Sequence, residues 1–169
     1  TWGRNAQGQL GDGTTADKSS PVQIGSSSWT AVSAGRYYTA AIRSGGTLFT
    51  WGLNNYGQLG QISFGQRFRQ SSPVTVGNNL VSLSSPVQIG SSSWTAVSAG
   101  GSHTAAIRSG GTLFTWGGNY RGQIGDSTSG DANSKSSPIQ IGSSSWTVIN
   151  AGAASTAAIR SDGYLFTWG

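Results

Sequence analysis

The chain repeats itself, and the length of the repeat limits what it can fold into. The stretch SSPVQIGSSSWTAVSAG at Ser19–Gly35 recurs unchanged at Ser84–Gly100 and returns as SSPIQIGSSSWTVINAG at Ser136–Gly152. A second stretch, TAAIRSGGTLFTWG at Thr39–Gly52, recurs at Thr104–Gly117 and, as TAAIRSDGYLFTWG, at Thr156–Gly169. The tryptophan of each Thr-Trp-Gly falls at Trp2, Trp51, Trp116 and Trp168, giving periods of 49, 65 and 52 residues. Units of this size bury their apolar faces by stacking on one another, as solenoids and propellers do.

Each period holds the same short runs. A Pro-led run (Pro21–Ile24, Pro86–Ile89, Pro138–Ile141) suits a strand start, where a missing N–H costs nothing. A Trp-led run follows (Trp29–Ala34, Trp94–Ala99, Trp146–Ala151), then a small-residue run (Thr39–Arg43, Thr104–Arg108, Thr156–Arg160). Ser-Gly-Gly or Ser-Asp-Gly then leads into Leu48–Trp51, Leu113–Trp116 and Leu165–Trp168, a hairpin signal because tight hairpin turns need positive φ. No segment has helical periodicity. The expected fold is all-β: propeller blades of four antiparallel strands, in a single array of three repeats covering about 3–52, 53–117 with an insertion at 61–83, and 118–169. The paired alanines of the third run are expected where blades approach closely, with the tryptophans filling the wider gaps.

Composition decides between order and disorder. The 27 Gly and many Ser suggest a flexible chain, but 7 Trp, 5 Tyr and 5 Phe are more aromatics than such chains carry. Without cysteine there are no disulfides or thiolate metal sites. No apolar run is long enough for a membrane-spanning helix. The net charge of +5 is scattered, so direct contact with nucleic acid is not expected. Beginning at Thr1 rather than Met, the sequence reads as an excerpt or a processed product, and its compartment is not legible.

The repeat resembles that of the regulator of chromosome condensation family, which carries Gly-x-x-His-Thr-x-Ala, then Gly-x-Leu-aromatic-x-Trp-Gly, then Asn-x-x-Gly-Gln-Leu-Gly. The last element stands here as WGRNAQGQLG (Trp2–Gly11), WGLNNYGQLG (Trp51–Gly60) and WGGNYRGQIG (Trp116–Gly125). The resemblance implies propeller blades offset from the sequence repeat, so that each repeat straddles two blades. The last blade then lacks its Pro-led strand, and Pro21–Ile24 is a spare strand of that kind. The unpaired edges imply either an excerpt of a longer propeller or copies joined head to tail.

Little in the chain suits catalysis. Its only carboxylates are Asp12, Asp17, Asp126, Asp131 and Asp162, and its only histidine is His103. A general acid–base pair or a metal cluster asks for more titratable groups than these. The chain is therefore read as no enzyme, with no cofactor and no metal. His103 stands where the other repeats have Tyr38 and Ser155, which suits a packing or hydrogen-bonding role. Trp29, Trp94 and Trp146, with Trp2, Trp51, Trp116 and Trp168, recur in phase; core packing competes with a stacking platform for sugars or bases. Arg43, Arg108 and Arg160 end equivalent strands and should share one rim, as a basic arc for an acidic partner or as solvated structural arginines.

What one repeat alone carries points to function more than what all share. The insertion QISFGQRFRQSSPVTVGNNLVSL at 61–83 partly duplicates the Pro-led element at Ser71–Gly77, and removing that 13-residue offset brings the period of 65 to 52. Within it Phe64, Arg67, Phe68 and Arg69 are candidate contact residues, since Arg and aromatic side chains on loops make effective interface anchors; a tolerated insertion tucked against the blade is the competing reading. The functional expectation is a non-catalytic interaction or assembly propeller, with a protein partner or self-association through open blade edges. Low charge and near-identical repeats favour an extracellular or virion-surface setting. The alternatives are guanine-nucleotide exchange with chromatin association, and carbohydrate binding, for which Tyr37, Tyr56, Tyr120 and Phe68 would have to be exposed together.

Overall fold

A computed structural model describes residues 1–60 and 82–169. Its strands are β1 (Trp29–Ala34), β2 (Tyr38–Arg43), β3 (Leu48–Gly52), β4 (Leu83–Gln88), β5 (Trp94–Ala99), β6 (His103–Arg108), β7 (Thr112–Gly117), β8 (Lys135–Ala151), β9 (Thr156–Arg160) and β10 (Leu165–Trp168), with one 3-10 turn at Asp131–Asn133. All pairs are antiparallel. They form one sheet in the order β1-β2-β3-β4 and another in the order β10-β9-β8-β7-β6-β5.

The larger sheet is two blades joined by one strand. The first part of the 17-residue β8 pairs with β7, placing Ile139 opposite Thr115. Its second part pairs with β9, placing Trp146 opposite Arg160. The blades are thus β1–β4; β5–β7 with the start of β8; and the end of β8 with β9 and β10. The third blade has no fourth strand among the described residues, and each sequence repeat straddles two blades. Strands β4 and β8 begin three residues before their prolines. Pro86 and Pro138 fall where the ladder shifts register, between Leu83 and Val87 and between Lys135 and Ile139, so neither proline interrupts a paired N–H. Pro21–Ile24 is not a strand: Val22 exchanges 2.8 Å hydrogen bonds with Thr1, and Gly3 bridges to Lys18. Its partner within the described residues is only Thr1–Gly3, too short to carry a ladder further.

The blades meet through the alanine runs and the tryptophans. Ala40, Ala41, Ala105 and Ala106 are buried. Ile42, Leu48 and Ile89 of the first blade pack on Trp94, Ala106, Phe114 and Trp116 of the second. Ala105, Ile107 and Leu113 of the second pack with Trp146 and Ala158 of the third. Inside each blade, two indoles and a phenyl ring form one cluster. Trp94 meets Phe114 edge-on at 5.5 Å and Trp116 at 6.0 Å, and Trp29–Phe49–Trp51 and Trp146–Phe166–Trp168 repeat the arrangement. Such contacts are worth about 0.5–1.5 kcal/mol each beyond burial. Trp2 differs from the rest of the series: it is 64% exposed, on a segment bonded through Gly3 to Lys18 and through Thr1 to Val22.

A polar latch fastens blade to blade. The backbone carbonyl of Gln58 accepts from the Trp116 indole at 2.9 Å and the Thr104 hydroxyl at 2.8 Å, both on the following blade. Gln9 does the same with Trp51 and Thr39, and Gln123 with Trp168 and Thr156. The side chains of the Asn-x-x-Gly-Gln motif shape the loop that presents this carbonyl: Asn54 Oδ1 accepts from Leu59 N–H at 3.0 Å, and Gln58 Oε1 from Tyr56 N–H at 2.9 Å. The glycine ending the motif admits the indole; a Cβ on Gly60 would lie 2.7 Å from Trp116 Nε1, and its φ is +72°.

In the first and third repeats a charged clasp closes the connector that follows. Asp12 accepts from Asn5 and Thr14 and pairs with Lys18 at 3.3 Å; Asp126 accepts from Asn119 and Thr128 and pairs with Lys135 at 3.0 Å. The second repeat has Gln61 and Leu83 at those aspartate and lysine positions, and Leu83 packs half-buried beside Trp51, Tyr38 and Leu59.

Replacing Gly60 by Ala should destabilise the chain by about 2–4 kcal/mol, combining the positive-φ penalty with a forced shift of the Trp116 indole. Gly110→Ala, at φ +97° with nothing within 4 Å of the added carbon, should cost about 1 kcal/mol. The difference between their urea midpoints measures the latch contact.

Candidate functional site

The arginines expected at one rim do share one end of the blades, the hairpin end where β2 turns into β3. There they cover rings. The Arg43 guanidinium lies 4.3 Å from the Phe49 centroid and 5.3 Å from that of Trp29, and Arg108 repeats this over Phe114 and Trp94 at 4.4 and 5.4 Å. Arg160 lies over Phe166 at 5.0 Å and pairs with Asp162 at 2.6 Å. All three are half-buried at strand ends. Phe64, Arg67, Phe68 and Arg69 lie outside the described residues.

The carboxylates are engaged in local structure. Hydrogen bonding, chiefly from the Thr14 hydroxyl, lowers the Asp12 carboxyl to about 2. Asp17 accepts the Asn5 N–H at 2.7 Å, and Asp131 opens the 3-10 turn. Among the described residues no three His, Cys, Asp or Glu side chains come together to hold a metal.

His103 is fully buried and works between blades. Its Nε2 lies 2.9 Å from the Thr156 hydroxyl. That hydroxyl donates to the Gln123 carbonyl, so the imidazole is the donor and its proton sits on Nε2. Nδ1 is buried without a partner. Tyr38, at the equivalent position one blade earlier, donates to the His103 carbonyl and lies 3.0 Å from the Thr104 hydroxyl. Each of these side chains reaches forward to the threonine latched on the next blade.

The opposite end of the blades carries a different set of residues. The β1–β2 loop and the loop following β3 share this end, joined by Leu53 N–H to Tyr37 carbonyl at 2.9 Å. Arg4 and Arg36 lie over the Tyr37 ring at 5.9 and 5.1 Å. Tyr56 and Tyr120, on the Asn-x-x-Gly loops of adjacent blades, bring their rings to 6.4 Å while 41% and 37% exposed, with Arg121 next in sequence. The repeats disagree at these positions: where one has Tyr56, the others have Gln7 and Arg121, and where one has Tyr37, the others have Ser102 and Ala154. The carbohydrate reading asked for four aromatics exposed together. Tyr56 and Tyr120 adjoin, Tyr37 is half-buried under its arginines, and Phe68 lies outside the described residues.

The face of the third blade is open, and that of the first is partly covered by the N-terminal segment. A groove of about 420 Å³ runs there between Trp29, Val32 and Trp51 on one side and Thr1, Val22 and Ile24 on the other, and Val32 is 67% exposed. On the third blade Leu165 is 66% exposed, whereas its counterparts Leu48 and Leu113 are fully buried against the following blade.

The family model described as the regulator of chromosome condensation (RCC1) repeat matches residues 1–42, 45–107 and 110–159. The chain belongs to the RCC1-repeat family. It is 33% identical over 175 residues to the ultraviolet-B receptor UVR8 of Arabidopsis thaliana, covering 100% of this chain and 36% of the receptor. It is also 33% identical to the probable E3 ubiquitin-protein ligase HERC6 of Homo sapiens, over 99% of this chain and 16% of the ligase. Human WBSCR16 shares the fold at a TM-score of 0.74 and 19% identity, covering 98% of this chain and 40% of that one. Yeast Prp20, solved with Kap60 bound, does so at 0.73 and 17%, covering 99% and 38%. The RCC1-repeat chain therefore spans well under half the length of these relatives.

Burial lowers the His103 imidazole to about 4 from an ordinary 6.5. Its contribution is complete above pH 6.5 and is lost as pH falls toward 4, because the unfolded chain binds the proton more readily. The carboxylates act in the same direction but only below their ordinary 3.8. Wild type should lose about 2–3 kcal/mol between pH 7.5 and 4.5. His103→Tyr, which restores the residue of the first repeat, should hold its urea midpoint across that range.

Proposed function

We propose that this chain is a stretch of non-catalytic propeller that works by protein binding and assembly. The observation carrying this is the match between its two end faces. The surface around Leu165, Val148 and Ile159 on the third blade is the counterpart of surfaces that the first and second blades bury, by Leu48 and Leu113, against the next blade. The groove around Trp29, Val32 and Trp51 is the counterpart of the surface that receives them at Trp94, Val97 and Trp116. The face buried twice inside the chain is thus exposed a third time on the third blade, and the part of its complement left open on the first is the groove beside Val22 and Ile24. The edge of β10 also lacks the Pro-led strand that completes the other blades, and an unpaired edge is a template for pairing.

A second copy presents the complementary apolar face, and contacts of this head-to-tail kind close into rings or extend as filaments. Protein binding agrees with what is recorded of relatives: yeast Prp20 was solved for its binding to Gsp1p and histones and in complex with Kap60. The engagement of every described carboxylate in local structure or solvent, rather than in a cleft beside a base, supports a role without chemistry. A surface or virion setting draws support only from the low charge and the near-identity of the repeats.

Light scattering over a hundredfold range of concentration tests the assembly reading. The expected result is a mass rising from 17.3 kDa in steps of whole chains. Leu165→Asp, changing an exposed side chain, should keep the chain monomeric without moving its urea midpoint. A wild type that stays monomeric throughout rejects self-association.

A further inference from the structure

We propose that the loop end bearing Arg4, Arg36, Tyr37, Tyr56, Tyr120 and Arg121 is a docking surface for an acidic, extended segment of a partner protein. The first support is that the fold makes no demand for these side chains. The three Asn-x-x-Gly-Gln loops are held by the same bonds whatever occupies the position before the glycine. Gln7, Tyr56 and Arg121 each donate their N–H to the glutamine Oε1 two residues on, at 2.9, 2.9 and 2.8 Å. A backbone indifferent to glutamine, tyrosine or arginine does not account for an exposed tyrosine or arginine there. The strand segments of the repeats are nearly identical copies, whereas these loop positions differ between repeats, and arginine or tyrosine, residue types enriched in binding hot spots, stands at six of them.

The second support is how the cations are distributed. Of the ten Lys and Arg residues, Arg67 and Arg69 lie outside the described residues. Lys18, Lys135 and Arg160 pair with carboxylates, and Arg43 and Arg108 cover the aromatic clusters at the hairpin end. The remaining three are Arg4, Arg36 and Arg121. All three are exposed on this one end, and none has a carboxylate within ion-pair distance among the described residues. Arginine presents a planar fork that matches a carboxylate with two hydrogen bonds, and a flanking ring gives the acidic side chain's carbon stem a surface to lie on.

The aromatic geometry offers no slot in which a base or a sugar would be sandwiched. Tyr56 and Tyr120 contact each other with their planes at 52°, so no parallel slot opens between them for a flat ring to enter. Tyr37 is already covered by two guanidinium groups. What is left is two patches on one end of the blades, Arg4 and Arg36 about Tyr37 and Arg121 beside the Tyr56–Tyr120 pair, which an extended acidic strand of chain can join. This surface shares no residue with the open blade faces, so the two readings stand or fall separately.

The test is fluorescence anisotropy on the 169-residue chain with a short fluorescein-labelled poly-glutamate peptide, using a poly-glutamine peptide of equal length and an oligothymidylate as comparisons. The poly-glutamate probe should bind at low salt and be released as salt rises. Arg36→Ala combined with Arg121→Ala should weaken binding about tenfold, and Tyr56→Ser with Tyr120→Ser by a few fold. Arg160→Gln, which removes a cation at the other end of the blades, should change binding by less than about twofold. Urea midpoints of the loop variants should move little, since the contacts they remove, Arg36 over Tyr37 and the Tyr56–Tyr120 ring pair, lie at the surface. No poly-glutamate binding, or an equal loss in Arg160→Gln, overturns the proposal, as does tighter binding of oligothymidylate through the same arginines.

Discussion

One backbone carbonyl per repeat carries the blade-to-blade order of this molecule. The carbonyls of Gln9, Gln58 and Gln123 each take an indole N–H and a threonine hydroxyl from the blade that follows. A buried indole left without an acceptor would be costly, so the loop presenting the carbonyl must be held in place. Asn54 and Gln58 do this in the second repeat with their side chains, and Gly60 leaves room for the ring. With the indole fixed, Trp94 and Phe114 can settle against Trp116, and Arg108 can cover them. The polar motif and the aromatic core are thus two sides of one contact.

This dependence explains which parts of the structure could be read in advance. The number of repeats and the run of strands within each follow from recurrence, because near-identical segments in tandem pack alike, whereas the offset between repeat and blade was implied by the family resemblance. The buried alanines and most of the tryptophans follow from their phase. The role of Asn-x-x-Gly-Gln was not legible in that way. Its carbonyl carries no side-chain signature, and its partners lie 42 and 30 residues further on in the first repeat. The early starts of β4 and β8 were hidden too, since a register shift that absorbs a proline leaves no trace in composition.

The loop surface was illegible for a different reason. Arg36, Tyr56 and Arg121 are far apart in sequence and stand at two different positions of the repeat unit, one of them shared by Tyr56 and Arg121. Only the stacking of blades puts those positions on one end. The chain divides its labour by place: strands and their latches are copied with few changes, while the tips that the latches hold steady vary more. Tyr38 and His103 lie at the border between the two. They share a position and a forward reach to the next blade, but meet it with different chemistry.

The exchange of a charged clasp for an apolar anchor in the second repeat bears on how such a chain can change over time. Where the first and third repeats close their connectors with Asp12–Lys18 and Asp126–Lys135, the second has Leu83, paired with Gly52 in the ladder, on one side and Gly60, seated under Trp116, on the other. Both stems are therefore secured by contacts of their own. The entropy of closing a loop grows only with the logarithm of its length. A connector with such stems can be lengthened, shortened or replaced at small cost to the blades, which makes this junction the natural place for lineages, or for protein engineers, to graft new sequence.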